Sequence, residues 1–272
     1  MTLIAVTSDL HYDVTGALTS PAEVARMLDR IAVNAPDAIL VAGDIGHPFA
    51  NFRGCLDLLR DRFRLVGIVA GNHDVWREES FSSERLWRKE LPAAARERGI
   101  AWLEQEAMRF GTLAVIGTAA WYDYSAAEPS LGKDEAFFAA TKPRISNDAY
   151  WIDWRMSDVA FATELRTGLT ARLEELESDP AVEQVLVVTH VPVFEQQLHR
   201  NPDDFTWSVA NAYFGNLRTG QELLRFAKVR RVVSGHTHHD LHAVIPRPDM
   251  AEIDAWVVGS DYGSPAWIEL EF

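Results

Sequence analysis

The chain has one cysteine, Cys55, among its 272 residues. That excludes an internal disulfide framework and a thiolate-rich structural zinc site. It has no apolar run approaching the ~20 residues that cross a bilayer, so no membrane partner is expected. The opening residues, Met1-Thr2-Leu3-Ile4-Ala5-Val6, lack a basic leader and are expected to form a core strand, not a signal peptide. A cytoplasmic location fits these features. Positive charge is scarce: 26 Lys and Arg stand against 40 Asp and Glu, a formal net charge of −14. A broad acidic surface repels phosphate backbones and argues against a general nucleic-acid binder. Arg85, Arg88 and Lys89 read as a solvated helix face, not as a basic groove. No repeat, linker or low-complexity segment divides the chain. Residues 1–272 are therefore expected to form one domain, with the oligomeric state left open.

What is present is a series of short apolar runs separated by helical patterns. Residues 2–7, 38–42 and 65–70 read as buried strands. Ser20-Pro21-Ala22-Glu23 supplies an N-cap, a proline at the first helical position and a capping-box Glu. The helix it opens carries Val24, Met27, Leu28 and Ile31 on one face, and a second helix follows over about 52–62. Strand-helix-strand-helix-strand implies parallel pairing with right-handed crossovers. Further on, 83–98 and about 157–177 read as helices. Residues 100–103, 106–117, 184–188 and 231–233 read as strands. The tail from Leu241 to Phe272 reads as two or three antiparallel strands. Two stretches, about 118–158 and 191–216, show no sustained period and read as aromatic-rich loop insertions.

Five of the apolar runs end in residues able to bind a metal: Asp9-Leu10-His11, Gly43-Asp44, Gly71-Asn72-His73-Asp74, Thr189-His190 and Gly235-His236-Thr237-His238. Each alone could be a turn, since Gly, Asn and Asp favour turns for backbone reasons. Together they place ligands at the carboxyl ends of strands, where open α/β folds bind them. Asp9, His11, Asp44, Asn72, His190, His236 and His238 offer oxygen and imidazole donors without a thiolate. That set suits borderline divalent metals such as Mn, Fe, Co or Zn. Seven donors exceed what one open catalytic ion needs and suit two ions sharing a carboxylate. Such a pair binds two oxygens of a phosphate ester, neutralises its charge and acidifies the attacking water. His73, beside Asn72, is the candidate general acid for the leaving group, with Asp74 next to it to orient the ring or cap the turn.

These motifs resemble the calcineurin-like metallophosphoesterase superfamily, and the match runs from Asp9 to His238. The resemblance implies an α/β fold of two packed mixed β-sheets flanked by helices, a four-layer sandwich. It implies that Asp9, His11, Asp44 and His238 hold one metal. Asp44, Asn72, His190 and His236 would hold the other, with Asp44 bridging. His73 would contact the phosphate and protonate the leaving group. Mn and Fe are the expected ions, in divalent or mixed-valence pairs, with Zn or Co as substitutes. The chain departs from the Ser/Thr protein phosphatase branch, because Asp44 is followed by Ile45-Gly46-His47-Pro48 without that branch's second Asp and Arg.

The expected activity is hydrolysis of a small phosphorylated compound, either a diester or a monoester. His47, after Asp44, and Trp121, Tyr122, Trp151 and Trp207, in the aromatic insertions, are the candidate substrate-binding residues. His199 is a further candidate for the pocket wall, whereas His239 and His242 read as surface residues. Two alternatives share the motifs: a nuclease of the same superfamily, and a scaffold protein that keeps the fold without turnover.

Overall fold

The computed structural model describes residues 1–272. β1 (Leu3–Thr7), α1 (Pro21–Val33), β2 (Ala38–Ala42), α2 (Phe49–Arg62) and β3 (Val66–Val69) open the chain. α1 begins as the sequence expects. Ser20 Oγ accepts from Glu23 N–H, and Glu23 Oε2 accepts from Ser20 N–H at 2.8 Å. A cap of this kind stabilises a helix by about 1 kcal/mol. α3 (Ser83–Arg85) passes through a π turn, Leu86–Glu90, into α4 (Leu91–Glu97). β4 (Ala101–Trp102), β5 (Met108–Phe110) and β6 (Leu113–Thr118) follow.

The first stretch without a sequence period is not irregular throughout. It contains α5 (Glu135–Ile145) and α6 (Asp148–Trp151). α5 buries only Phe138 and Lys142 and carries Pro143 inside it, so no apolar stripe marks it in the sequence. α7 (Asp158–Ser178) and β7 (Gln184–Thr189) come next. The second such stretch contains α8 (Phe205–Ala210), before α9 (Leu217–Leu223), β8 (Val229–Ser234), β9 (Leu241–Ile245), β10 (Ile253–Val257) and β11 (Trp267–Glu271).

Two sheets result. One is ordered β11-β1-β2-β3-β4, the other β5-β6-β7-β8-β10-β9. β1 to β4 are parallel, as are β6, β7, β8 and β10. The tail is not the simple antiparallel set that its alternation suggests. β9 and β10 pair antiparallel, but β10 runs parallel to β8, and β11 crosses to pair antiparallel with β1 in the other sheet.

The sheets face each other across a core that joins Ile4, Val6, Leu40 and Val69 of the first to Val115, Leu186, Val188 and Val233 of the second. α1, α2 and α4 cover the outer face of the first sheet. α7 spans both outer cores. Phe161 and Leu165 pack with the first, and Leu169, Leu173 and Leu176 with the second. This sandwich brings the carboxyl ends of β1, β2, β3, β7 and β8 to one edge.

Candidate metal centre

The loops at that edge are tied by their backbones before any side chain is considered. Asp9 N–H donates to Gly43 C=O at 3.0 Å, and His11 N–H to Asp44 C=O at 2.9 Å. Gly235 N–H donates to His190 C=O at 2.9 Å. The approach is so close that two motif glycines have no room for a side chain. A Cβ on Gly71 would lie 2.0 Å from Asp44 Oδ1, and one on Gly235 would lie 1.7 Å from Ser8 Oγ. Asp74 closes the arrangement. Its carboxylate accepts from Ile45 N–H at 2.9 Å, Gly46 N–H at 3.0 Å and Gly71 N–H at 2.8 Å. Of the two roles the sequence allows Asp74, orienting the catalytic His73 or capping the turn, the contacts favour the second: its oxygens accept from backbone donors of the loops after β2 and β3, and none bonds the His73 ring.

The seven expected donors converge. Asp9, His11 and His238 form one group able to hold an ion, and Asp44, His190 and His236 form another. Asp44 lies between them. Its Oδ2 is 3.7 Å from His11 Nε2, and its Oδ1 is 3.6 Å from His190 Nε2. Asn72 Oδ1 stands 2.9 Å from His190 Nε2. His73 is also close, with Nε2 3.9 Å from Asp44 Oδ2 and its N–H donating to Asp44 Oδ1 at 2.9 Å. His11, Asp44 and His73 form a third group of donor atoms.

The hydrogen bonds set which atoms face inward. His190 Nδ1 is 2.9 Å from the Ala42 carbonyl, which can only accept, so the N–H sits there and the Nε2 lone pair is free. Asn72 Nδ2 donates to Asp148 Oδ1 at 2.9 Å, so its oxygen must face the site. Burial pushes the His190 imidazole down to about 3 and that of His11 down to about 4, which keeps both neutral at pH 7. Two acceptors, His190 Nε2 and Asn72 Oδ1, thus face one another at hydrogen-bond distance without a proton between them. Asp9 Oδ1 is buried with no hydrogen bond in the protein and has His238 Nε2 at 3.5 Å, while Oδ2 accepts from His236 N–H at 2.8 Å. Burial, with Asp74 and Asp9 close by, pushes Asp44 well above the usual carboxylate range. Unpaired lone pairs and crowded carboxylates are what a cation relieves, so the donor set fits metal ions.

The residue-match profile for calcineurin-like phosphoesterases covers residues 2–240 of this chain. The chain belongs to that family. As a calcineurin-like phosphoesterase it is a metal-dependent hydrolase of phosphate esters; the family implies a dimetal site, and the chain has His and Asp clusters able to hold ions. It is 26% identical over 248 residues to the acyl-carrier-protein phosphodiesterase PptH of Mycobacterium tuberculosis, covering 85% of this chain and 70% of that protein. Its fold resembles the crystal structure of the phosphopantetheinyl hydrolase PptH from that organism, with a TM-score of 0.70 at 20% identity over 98% of this chain and 95% of the other. A dimetal phosphatase from Danio rerio has a TM-score of 0.54 at 13% identity, covering 94% and 87% of the two chains.

The phosphoesterase's expected pocket residues divide. Trp207 lines a cavity of about 480 Å³ over the metal centre, together with His199, Leu198 and Phe214. Trp151, partly exposed, stacks on Trp76 at 5.7 Å and lies 6.2 Å from the His47 ring. Trp121 and Tyr122 are not wall residues. Both are buried in the core, where Trp121 Nε1 donates to Asp158 and Tyr122 O–H donates to Asp148 Oδ2.

Other residues at the centre carry no signal in the sequence. Asp148 accepts from Asn72, Tyr122 and Trp76 Nε1, the last at 2.6 Å. Trp76 in turn stacks beneath His73, with ring centroids 3.8 Å apart. Tyr262 packs its ring 4.6 Å from His11 and 5.2 Å from His238. Each acts through a tertiary contact that no local spacing encodes.

Proposed function

We propose that this chain is a dimetal phosphodiesterase acting on phosphopantetheinyl diesters. Asp9, His11, Asp44 and His238 would hold one ion. Asp44, Asn72, His190 and His236 would hold the other. The observation that carries this reading is the placement of Asp44, one oxygen toward His11 and the other toward His190. The oxygen and imidazole donors, without thiolates, favour Mn or Fe, with Zn or Co as substitutes. Bound there, such ions neutralise the ester's charge and acidify the attacking water.

The chain's own residues do the rest. Asp148 fixes the Asn72 amide and, through Trp76, the plane of the His73 ring. His73 delivers the proton to the leaving oxygen. Burial and the neighbouring imidazoles hold His73 well below the usual histidine range. Trp76 and Tyr262 pack against the rings of His73 and His238.

Two recesses favour a diester over a monoester. The 480 Å³ cavity meets a second of about 160 Å³, lined by Ser146, Asn147 and Asp148, and both reach His73, Phe214 and His236. A phosphorus at their junction has room for an arm on each side. The phosphopantetheinyl identity draws on the relative named for that hydrolysis. The net charge of −14 counts against a nuclease.

Metal-stripped protein reloaded with Mn²⁺ should hydrolyse bis-p-nitrophenyl phosphate faster than p-nitrophenyl phosphate. It should also convert a phosphopantetheinylated carrier protein to the unmodified form, read as a mass loss. Hydrolysis confined to the monoester would reject the diester reading.

A further inference from the structure

The large cavity contains a polar feature that the metal chemistry does not use. Asn211, at the end of α8, lines it and is 1% exposed. Neither its Nδ2 nor its Oδ1 has a hydrogen-bond partner in the protein. Thr237 Oγ1, on the same cavity, is also buried and unpartnered. Leu198, Trp207 and Phe214 supply the apolar part of a lining that is otherwise mostly polar. Buried polar groups are normally paired, and an unpaired buried carboxamide is costly unless a ligand completes it.

The chemistry of the missing partner can be read from the carboxamide. It offers N–H donors and a carbonyl acceptor, which the carbonyls and N–H groups of amides complement. In an arm with successive trans amides, the N–H of one would donate to Oδ1 while the carbonyl of another accepts from Nδ2. An anionic arm would use only the donor and would face the carboxylates of Asp44 and Asp261, which also line the cavity. Aliphatic segments on either side of the amide match Leu198, Trp207 and Phe214.

We infer that Asn211, assisted by Thr237, recognises an uncharged amide-bearing arm of the substrate in this cavity. The inference rests on the phosphodiesterase reading and deepens it, since a pantetheine arm is an aliphatic chain interrupted by amides. Ligand entry turns the Asn211 carboxamide about χ2 so that both atoms meet the arm. The residue sets specificity and takes no part in the bond-breaking step.

The test uses the Mn-loaded protein with three probes: pantetheine, its analogue with both amides replaced by esters, and adenosine. Calorimetry should show pantetheine binding roughly tenfold more tightly than the ester analogue, the size expected for losing one or two neutral hydrogen bonds. Asn211→Leu should bring that ratio to about one, and Asn211→Asp, which keeps the shape but loses the donor, should reduce it. Because the readout is a ratio, general damage to the fold does not imitate the effect. Equal binding of the two analogues by the wild-type protein would overturn the inference, as would an unchanged ratio in Asn211→Leu. Tighter binding of adenosine than of pantetheine would overturn it in favour of a base pocket. Failure to hydrolyse any phosphodiester would reject the underlying function instead, and the binding ratio would still be measurable.

Discussion

Five of the seven proposed metal-donor positions hold a left-handed backbone: Asp9 at φ 51°, His11 at 42°, Asp44 at 51°, His236 at 70° and His238 at 57°. For a residue with a Cβ this conformation costs about 1–2 kcal/mol, and strain of that kind gathers at functional sites. Here it turns each side chain back toward the strand ends. The residue types were legible in the sequence because each follows an apolar run. The strain was not, because nothing local distinguishes these residues from ordinary turn formers. Asp148 was equally silent, and it provides a direct test. Asp148→Ala leaves Asn72, Trp76 and Tyr122 donors unpaired, so calorimetric Mn²⁺ titration should show affinity for the second ion falling roughly 10–100-fold. Asp148→Asn, which can still accept from Asn72 and Trp76, should restore most of it. Unchanged affinity in the alanine variant would remove Asp148 from the site. His238 sets the pH dependence. Burial works to lower its pKa, but the Asp9 and Asp261 carboxylates outweigh it and raise the value above the usual histidine range. Metal needs the neutral ring, so Mn²⁺ affinity should increase as pH rises from about 6 to about 8. Asp261→Asn should shift that rise to lower pH, because it removes a carboxylate that favours the proton.

At the scale of elements, the sequence revealed what periodicity controls. β1, β2, β3 and β7 are nearly continuous apolar runs because parallel strands are covered on both faces, whereas β8 carries Arg230 and Arg231 before its apolar end. α1 declared itself by its cap. α5 and α6 did not, since α5 turns little apolar surface inward and α6 spans only Asp148–Trp151. Trp121 and Tyr122 misled for a related reason: an aromatic in an unpatterned stretch suits a pocket wall or a core equally well, and composition cannot separate the two. The change of sheet between β10 and β11 depends on long-range pairing that alternation does not encode. The closest contact between elements gives a prediction. β8 ends against the loop after β1, where a Cβ on Gly235 would meet Ser8 Oγ and Asp9 Oδ2. Gly235→Ala should cost about 1–3 kcal/mol in urea unfolding and weaken metal binding as Asp9 is displaced. A variant with wild-type stability and metal content would show that the loops have slack.

For the whole molecule, the two sheets share one core and α7 packs across both outer cores. We expect residues 1–272 to unfold as one unit, giving a single calorimetric transition; two resolved transitions would divide the chain. The clustered carboxylates and strained ligand loops make that unit sensitive to metal. At 100 times the dissociation constant, a bound ion stabilises by about 2.7 kcal/mol, which corresponds to roughly 5–10 °C in Tm for a protein of this size. EDTA should lower Tm by at least that amount, and added Mn²⁺ should restore it.

We expect two ions sharing Asp44 to make the site competent and His73 to serve the leaving group. Turnover of an alkyl phosphodiester during stepwise Mn²⁺ addition, with bound metal counted at each step, decides both. Activity should appear with the second ion per chain. His73→Ala should bind both ions yet lose roughly 10²–10⁴-fold in kcat, and lose less on p-nitrophenyl esters, whose leaving group departs without a proton. Full turnover with one ion, or with His73 replaced, would contradict these roles.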